Sequence, residues 1–304
     1  MKIPRDRNDV SIDVDGKSVA LTNLNKVFFP ELGKTKGDLL QYYADVAPFV
    51  LPHVERRAMV MKRYPNGATG DFFFMKETPK PHPPWLETVA IEHSSGKVVN
   101  FPIIDDVAAL LWLINLGCID LNQWYSRVDD VDRPDYLVFD LDPGTATFDR
   151  VRDVALLLHD GLMALKMPNY AKTTGSKGIH VYVPIKRGPL QEEVHAVAKE
   201  FAMAMVRHDP KIMTAVYNKS KRPKESVLVD YNQNRWGATL ASIYSVRPTL
   251  GATVSMPVSW EEIEDGVEIE SFTMDNVPAL LEKRGDLWKP LLAKTKRFDL
   301  SKLI

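Results

Sequence analysis

The segment YLVFDLDPG at residues 136–144 restricts the fold more than any other stretch of this chain. Tyr136, Val138 and Phe139 are aromatic or β-branched and Pro143-Gly144 stops the run, which predicts a buried strand over 136–141 ending in a turn. Side chains alternate along a strand, so Asp140 and Asp142 leave on one face while Leu141 turns into the core. Two carboxylates at the rim of an apolar strand repel each other and are costly to bury unless a cation joins them. Hard divalent ions such as magnesium or manganese, which prefer oxygen ligands, suit that role. Taken alone, the pair reads equally well as two solvated loop aspartates.

A second short run, VLVD at residues 227–230, ends in Asp230. Three carboxylates from two strand ends can hold two ions about 3.5–4 Å apart, the arrangement that activates an attacking oxygen and stabilises a departing one in phosphoryl transfer. Between these aspartates lies KTTGSKGIH, residues 172–180, in which Gly175 and Gly178 enclose Ser176 and Lys177 just before a further strand. Such a turn is expected to expose backbone N–H groups, and Ser176, Lys177 and His180 add donors and charge suited to a triphosphate. It is not a Walker loop, which would read GxxxxGKS or GxxxxGKT and open a helix. An ordinary turn carrying a solvated lysine is the plainer reading.

Around these motifs, the period of two gives strands at 136–141, 179–184 (IHVYVP) and 227–230, and helical spacing gives helices at about 148–165 and 191–206. Residues 105–122 read as a buried helix capped by Asp105 or Asp106, with Leu110, Leu113, Ile114 and Gly117 at helical spacing. A mixed strand-and-helix core of the α+β class follows. ETPKPHPP at 77–84 and VDDVDRPD at 128–135 mark surface loops, and 304 residues fit one large domain or two packed lobes.

The formal net charge is −1, so any nucleic-acid surface has to be local. Cations collect at Lys219, Lys221, Arg222 and Lys224 and at Arg56, Arg57, Lys62 and Arg63, although such runs usually mean a solvated face. Phe72, Phe73 and Phe74 cannot all point inward from one half-covered strand, so at least one is expected outside, available to stack on a base. The single cysteine, Cys118, excludes an internal disulfide, argues against a cysteine-based zinc site and reads as core. The charged start MKIPRDRNDV lacks a signal peptide's apolar run, and the longest apolar stretch, 107–119, falls short of the roughly 20 residues that cross a bilayer. A cytoplasmic protein without a membrane partner is expected.

Taken together, FDLDPG (139–144), TGSKGIHVY (174–182) and VDYNQN (229–234) resemble the polymerase domain of bacterial ligase D, of the archaeo-eukaryotic primase superfamily, which serves non-homologous end joining. TNLNKVFFP, KRYPNG, FFFMK, PPWL, FPIID and SVRPTLGATVSMPVSW extend the likeness over about residues 21–260. The resemblance implies a primase-polymerase fold of mixed and antiparallel sheets flanked by helices, in a single catalytic domain over 1–304. Within it an end-binding portion would span about 1–100, the core about 101–260 and a helical tail about 261–304.

The resemblance further implies a template-directed nucleotidyltransferase that adds ribonucleotides or deoxyribonucleotides to a primer 3′-hydroxyl at gaps or breaks. Asp140, Asp142 and Asp230 would be the catalytic, metal-binding triad for two manganese or magnesium ions. Ser176, Lys177, Gly178, His180, Arg247 and Asn122 would bind the nucleotide. Lys26 and Lys36 would grip a 5′ phosphate at the break, Phe73 and Phe74 would stack on the template, and Arg63 and Arg222 would contact DNA. A phosphate pocket would also account for Lys17, Lys26, Lys34 and Lys36 together near the start of the chain. A DNA-end-binding protein and a separate ligase would be partners, in the bacterial cytoplasm or on the nucleoid.

Two departures stand out. Where the family pattern has a Leu-Glu-X-His run, this chain reads Ile119-Asp120-Leu121-Asn122, so a histidine role is lost or passes to Asn122. No Lys-x-Asp-Gly ligase motif is present either. A phosphatase of the haloacid-dehalogenase type is a weak rival, because DLDPGT puts Gly144 where the DxDxT nucleophile motif needs threonine. Two further rivals are DNA-end bridging with little or no catalysis, and de novo priming.

Overall fold

The strand expected at 136 forms over Tyr136–Asp142, third in a six-stranded sheet. The order is Met213–Thr214, Val227–Asp230, Tyr136–Asp142, Ile179–Pro184, Tyr170–Thr173 and Pro257–Val258. Every neighbouring pair is antiparallel except the first, which is parallel. In this computed structural model, which describes residues 1–304, the sheet belongs to a compact unit made of Asp130–Ala238, Met256–Ser271 and Asp286–Ile304.

The helices Phe148–Ala164 and Gln191–His208 pack on this sheet. Val151, Val154, Ala155, Leu158 and Leu162 recur every three or four residues along the first, and Val194, Ala198, Ala202 and Met205 along the second, so each helix buries one stripe. A fully buried aliphatic side chain of this kind contributes roughly 1.5–3 kcal/mol. Thr147 starts the first helix by accepting a hydrogen bond from Arg150 N, an arrangement that anchors the helix just after the Asp140–Asp142 strand end.

The other compact unit comprises Met1–Asp129, Thr239–Ser255 and Phe272–Gly285. Its antiparallel four-stranded sheet runs Leu240–Ala241, Cys118–Gln123, Met59–Arg63, Phe73–Met75. The helix Lys36–Val54, opened by a capping box between Thr35 and Asp38, packs against the helix Val107–Asn115. Cys118 is free and buried. No helix is long and apolar enough to cross a membrane.

The helix expected over 105–122 is a helix and a strand. Asp106, not Asp105, caps it, with Oδ1 2.9 Å from Ala109 N, and it ends at Asn115. Gly117 then turns the chain at φ 80°, and a Cβ there would sit 3.1 Å from the Tyr64 carbonyl oxygen, so only glycine suits the position. Beyond it, CIDLNQ pairs with strands on both sides, and this pairing overrides the helical spacing. The helical tail expected over 261–304 is broken into the short helices Trp260–Glu264 and Val277–Arg284 and single turns, shared between the two units.

Candidate active site

Strand register assembles the carboxylates. Asp140 stands opposite Asp230 on one side and opposite His180 on the other, and His180 stands opposite Lys172. Directly paired residues of antiparallel strands face the same way, so Lys172, His180, Asp140 and Asp230 form one row across four strands. Asp142, two residues beyond Asp140, lies on the same face. Lys172, wholly buried, is the member of this row that sequence reasoning missed. The signal was its distance from the turn, since Lys172 and His180 are equally far from Ser176 along the hairpin.

Each carboxylate has a polar protein neighbour. His180 Nε2 lies 3.4 Å from Asp140 Oδ1. Asp142 accepts a bond from Gly144 N at 3.0 Å and lies 3.4 Å from Arg222 Nη1. Asp230 accepts from Asn232 N at 2.7 Å and from Gln233 Nε2 at 3.0 Å. Burial first, and the neighbouring Asp140 charge second, push the Asp230 carboxyl up to about 6 despite these bonds. Asp140 and Asp230 are near enough for one charge to act on the other, but no group of three acidic, imidazole or thiol side chains is gathered to hold a metal. The donor set still fits a hard divalent cation: it is oxygen-only, on one face, and includes Asp230, whose charge its burial disfavours.

The SKG turn differs from its expectation. The amides of Ser176, Lys177 and Gly178 all donate to Thr174 Oγ1 at 3.1 Å, so a threonine hydroxyl, not open solvent, receives these N–H groups. The side chains of Ser176 and Lys177 remain exposed. A Cβ at Gly178 would lie 2.0 Å from the Leu141 carbonyl oxygen, which gives this glycine a steric reason independent of any ligand. The threonine two residues before a serine in T-G-S is the legible trace of such a turn. Gly144, at φ 57°, would bring a Cβ to 3.2 Å from Arg222 Nη1, so the turn after Asp142 is shaped around that guanidinium.

In the other unit, Lys26 donates to Pro65 O at 2.7 Å and Asn66 Oδ1 at 3.0 Å, and Lys36 donates to Thr22 O at 2.6 Å. The Lys36 backbone N–H bonds to Lys26 O, which fixes the two lysines together. Burial lowers the Lys36 ammonium to about 8, and the charges of Lys26 and Arg63 act in the same direction against Asp9. Lys17 and Lys34 do not join them: Lys17 pairs with Asp106 at 2.5 Å and Lys34 with Asp275 at 2.6 Å, so carboxylates distant in sequence neutralise two of the four expected phosphate ligands.

Phe72, Phe73 and Phe74 are all exposed, at 51, 42 and 61%, because the Phe73–Met75 strand lies at the edge of its sheet. The Arg63 guanidinium lies 5.3 Å over the Phe73 ring, and Arg63 Nε bonds to Leu116 O. Asn122 is buried in the strand Cys118–Gln123, its amide donating to Asp120 O at 3.0 Å. Arg247 Nε lies 3.5 Å from the buried Asp120 carboxylate.

The family model described as the LigD primase-polymerase domain matches residues 35–288. The chain belongs to this family. The multifunctional non-homologous end joining protein LigD of Mycolicibacterium smegmatis is 34% identical over 276 residues, 90% of this chain and 36% of that protein. The bifunctional LigD of Bacillus subtilis is 27% identical over 274 residues, 87% of this chain and 42% of that protein. The chain thus spans roughly a third to two fifths of these LigD proteins. A solved structure, the polymerase domain of Mycobacterium tuberculosis ligase D in complex with DNA, superimposes with a TM-score of 0.85 at 32% identity. That match covers 91% of this chain and 98% of the solved one. The primase-polymerase fold is therefore that of a LigD polymerase domain, a nucleotidyltransferase type.

Proposed function

We propose that this LigD-family domain extends a primer 3′-hydroxyl at gaps or breaks in DNA, directed by a template strand. The observation that carries the reading is the register that sets Asp140 against Asp230 with Asp142 on the same face. Asp140, Asp142 and Asp230 would hold one or two manganese or magnesium ions. Such ions, when bound, lower the pKa of an attacking hydroxyl and offset the charge of a departing pyrophosphate. The chain's own part is positioning and charge, the main source of catalysis in phosphoryl transfer. His180, against Asp140, restrains that carboxylate's orientation, and Arg222 does the same for Asp142 beside the primer end.

Ser176, Lys177 and His180 receive the triphosphate on this reading, through their side chains rather than the amides that Thr174 occupies. Gly178 keeps the turn against the sheet. Arg247 and Asn122 are assigned to the nucleotide, Lys26 and Lys36 to a 5′ phosphate, Phe73 and Phe74 to the template and Arg63 to the DNA. A DNA-end-binding protein and a ligase complete the repair, by analogy with the end-joining names of the relatives.

A gapped duplex bearing a 5′ phosphate, incubated with manganese and labelled ribonucleotides, tests the proposal. Extension that requires both template and primer supports it. Binding without extension would favour an end-bridging role, and products on unprimed single strands would favour a primase.

A further inference from the structure

Asp120 lies directly opposite Lys62 on adjacent strands and is 2% exposed. Its Oδ2 is 3.7 Å from Lys62 Nζ and 3.5 Å from Arg247 Nε, while the buried Oδ1 accepts no hydrogen bond. A single carboxylate therefore sits between two largely buried cations. The Lys62 ammonium is restrained further by the rings of Phe72 at 4.2 Å, Tyr64 at 5.5 Å and Phe74 at 5.7 Å. Burial lowers the pKa of this lysine and the Asp120 charge opposes that shift.

Both separations exceed the roughly 2.7–2.9 Å of a close charge-assisted bond, so Asp120 holds the two cations as a shared counter-charge. Without the carboxylate, Lys62 and Arg247 would repel each other across a desolvated gap and swing apart. A planar guanidinium receives a phosphate well in only a narrow range of orientations.

We infer that Asp120 is a positioning residue, which fixes Arg247 against Lys62 so that the guanidinium is held ready for a phosphate of the incoming nucleotide. The inference rests on the assignment of Arg247 to the nucleotide. Asp120 itself touches no substrate.

Steady-state extension of the gapped duplex, with the ribonucleotide varied, tests it on the full chain. Asp120→Asn is expected to raise the nucleotide KM roughly tenfold, the order seen when a ligand's orienting partner is lost, with a smaller change in kcat. Affinity for the gapped DNA in the absence of nucleotide stays unchanged. Asp120→Glu, which keeps the charge, stays within about threefold of wild type in KM, since the orienting carboxylate is retained. In an Arg247→Ala background, itself raised in KM, neither substitution at Asp120 has a further effect. An unchanged or lowered KM in Asp120→Asn, or effects that add to those of Arg247→Ala, would overturn the inference. Where Asp120→Asn does not fold, Asp120→Ser, which also removes the charge, takes its place: a raised nucleotide KM that vanishes in the Arg247→Ala background supports the inference, and an unchanged KM overturns it. An Arg247→Ala variant with unaltered KM would instead refute the nucleotide assignment of Arg247.

Discussion

Asp140 and Asp230 face each other across neighbouring antiparallel strands, and Asp230 is only 6% exposed. In the absence of a cation, this pair opposes folding. The Asp230 carboxyl is raised from 3.8 to about 6, so the folded state holds the proton more tightly than the unfolded chain does. Its contribution to stability is present below about pH 4 and is lost as pH rises through about 6.

Asp230→Asn should therefore stabilise the metal-free protein at pH 8 by about 1–3 kcal/mol, the scale of a two-unit shift less any weakened hydrogen bonding, and abolish extension. The gain should vanish below pH 4. Urea denaturation at the two pH values checks this; a variant less stable than wild type at pH 8 would contradict it.

Thr174 gathers three amide N–H groups on one hydroxyl. Thr174→Val keeps the shape and removes the acceptor, which should cost about 1–3 kcal/mol because buried donors lose their partner. The nucleotide KM should rise as the Ser176-Lys177 turn loosens. Denaturation midpoints and KM for a ribonucleotide measure both effects.

Gly178 and Gly188 make a matched pair. A Cβ at Gly178 meets Leu141 O at 2.0 Å, whereas at Gly188 it meets nothing within 4 Å. Gly178→Ala should force apart the strand that carries Asp140 and Asp142 and lower stability by several kcal/mol or prevent folding, an overpacking effect of at least about 1–3 kcal/mol. Gly188→Ala should stay within about 0.5 kcal/mol of wild type. Thermal melts of the two variants decide it.

Lys36 reports on the proposed phosphate grip through pH. Its folded value of about 8 lies below the ordinary 10.5, so its contribution to stability is present above about 10.5 and is lost as pH falls through 8. A bound phosphate favours the charged form, so the preference for a 5′-phosphorylated gap over a 5′-hydroxyl one should decline from pH 7 to pH 9. Lys36→Met should lose that preference and gain stability at pH 7. Fluorescence anisotropy with the two gapped duplexes measures the first, urea denaturation the second.

What the sequence made legible was local. The period-two runs and the Pro143-Gly144 stop located the strand of Asp140 and Asp142, and VLVD located Asp230, because alternation and turn chemistry act over a few residues. Pairing between distant segments left little trace. The strand Cys118–Gln123 hid inside a helical spacing because its identity depends on neighbours at 59–63 and 240–241. Lys17 and Lys34 are spaced like phosphate ligands, but their partners Asp106 and Asp275 lie far along the chain. Asp120 acquired its meaning only from Lys62 and Arg247.

The most direct test of the proposed metal-dependent polymerase centre compares wild type with Asp140→Ala on a 5′-phosphorylated gapped duplex, recording binding and manganese-dependent ribonucleotide addition side by side. Wild type should add nucleotides complementary to the template, and the variant should add none while binding the duplex with similar affinity. Undiminished extension by Asp140→Ala would contradict the assignment.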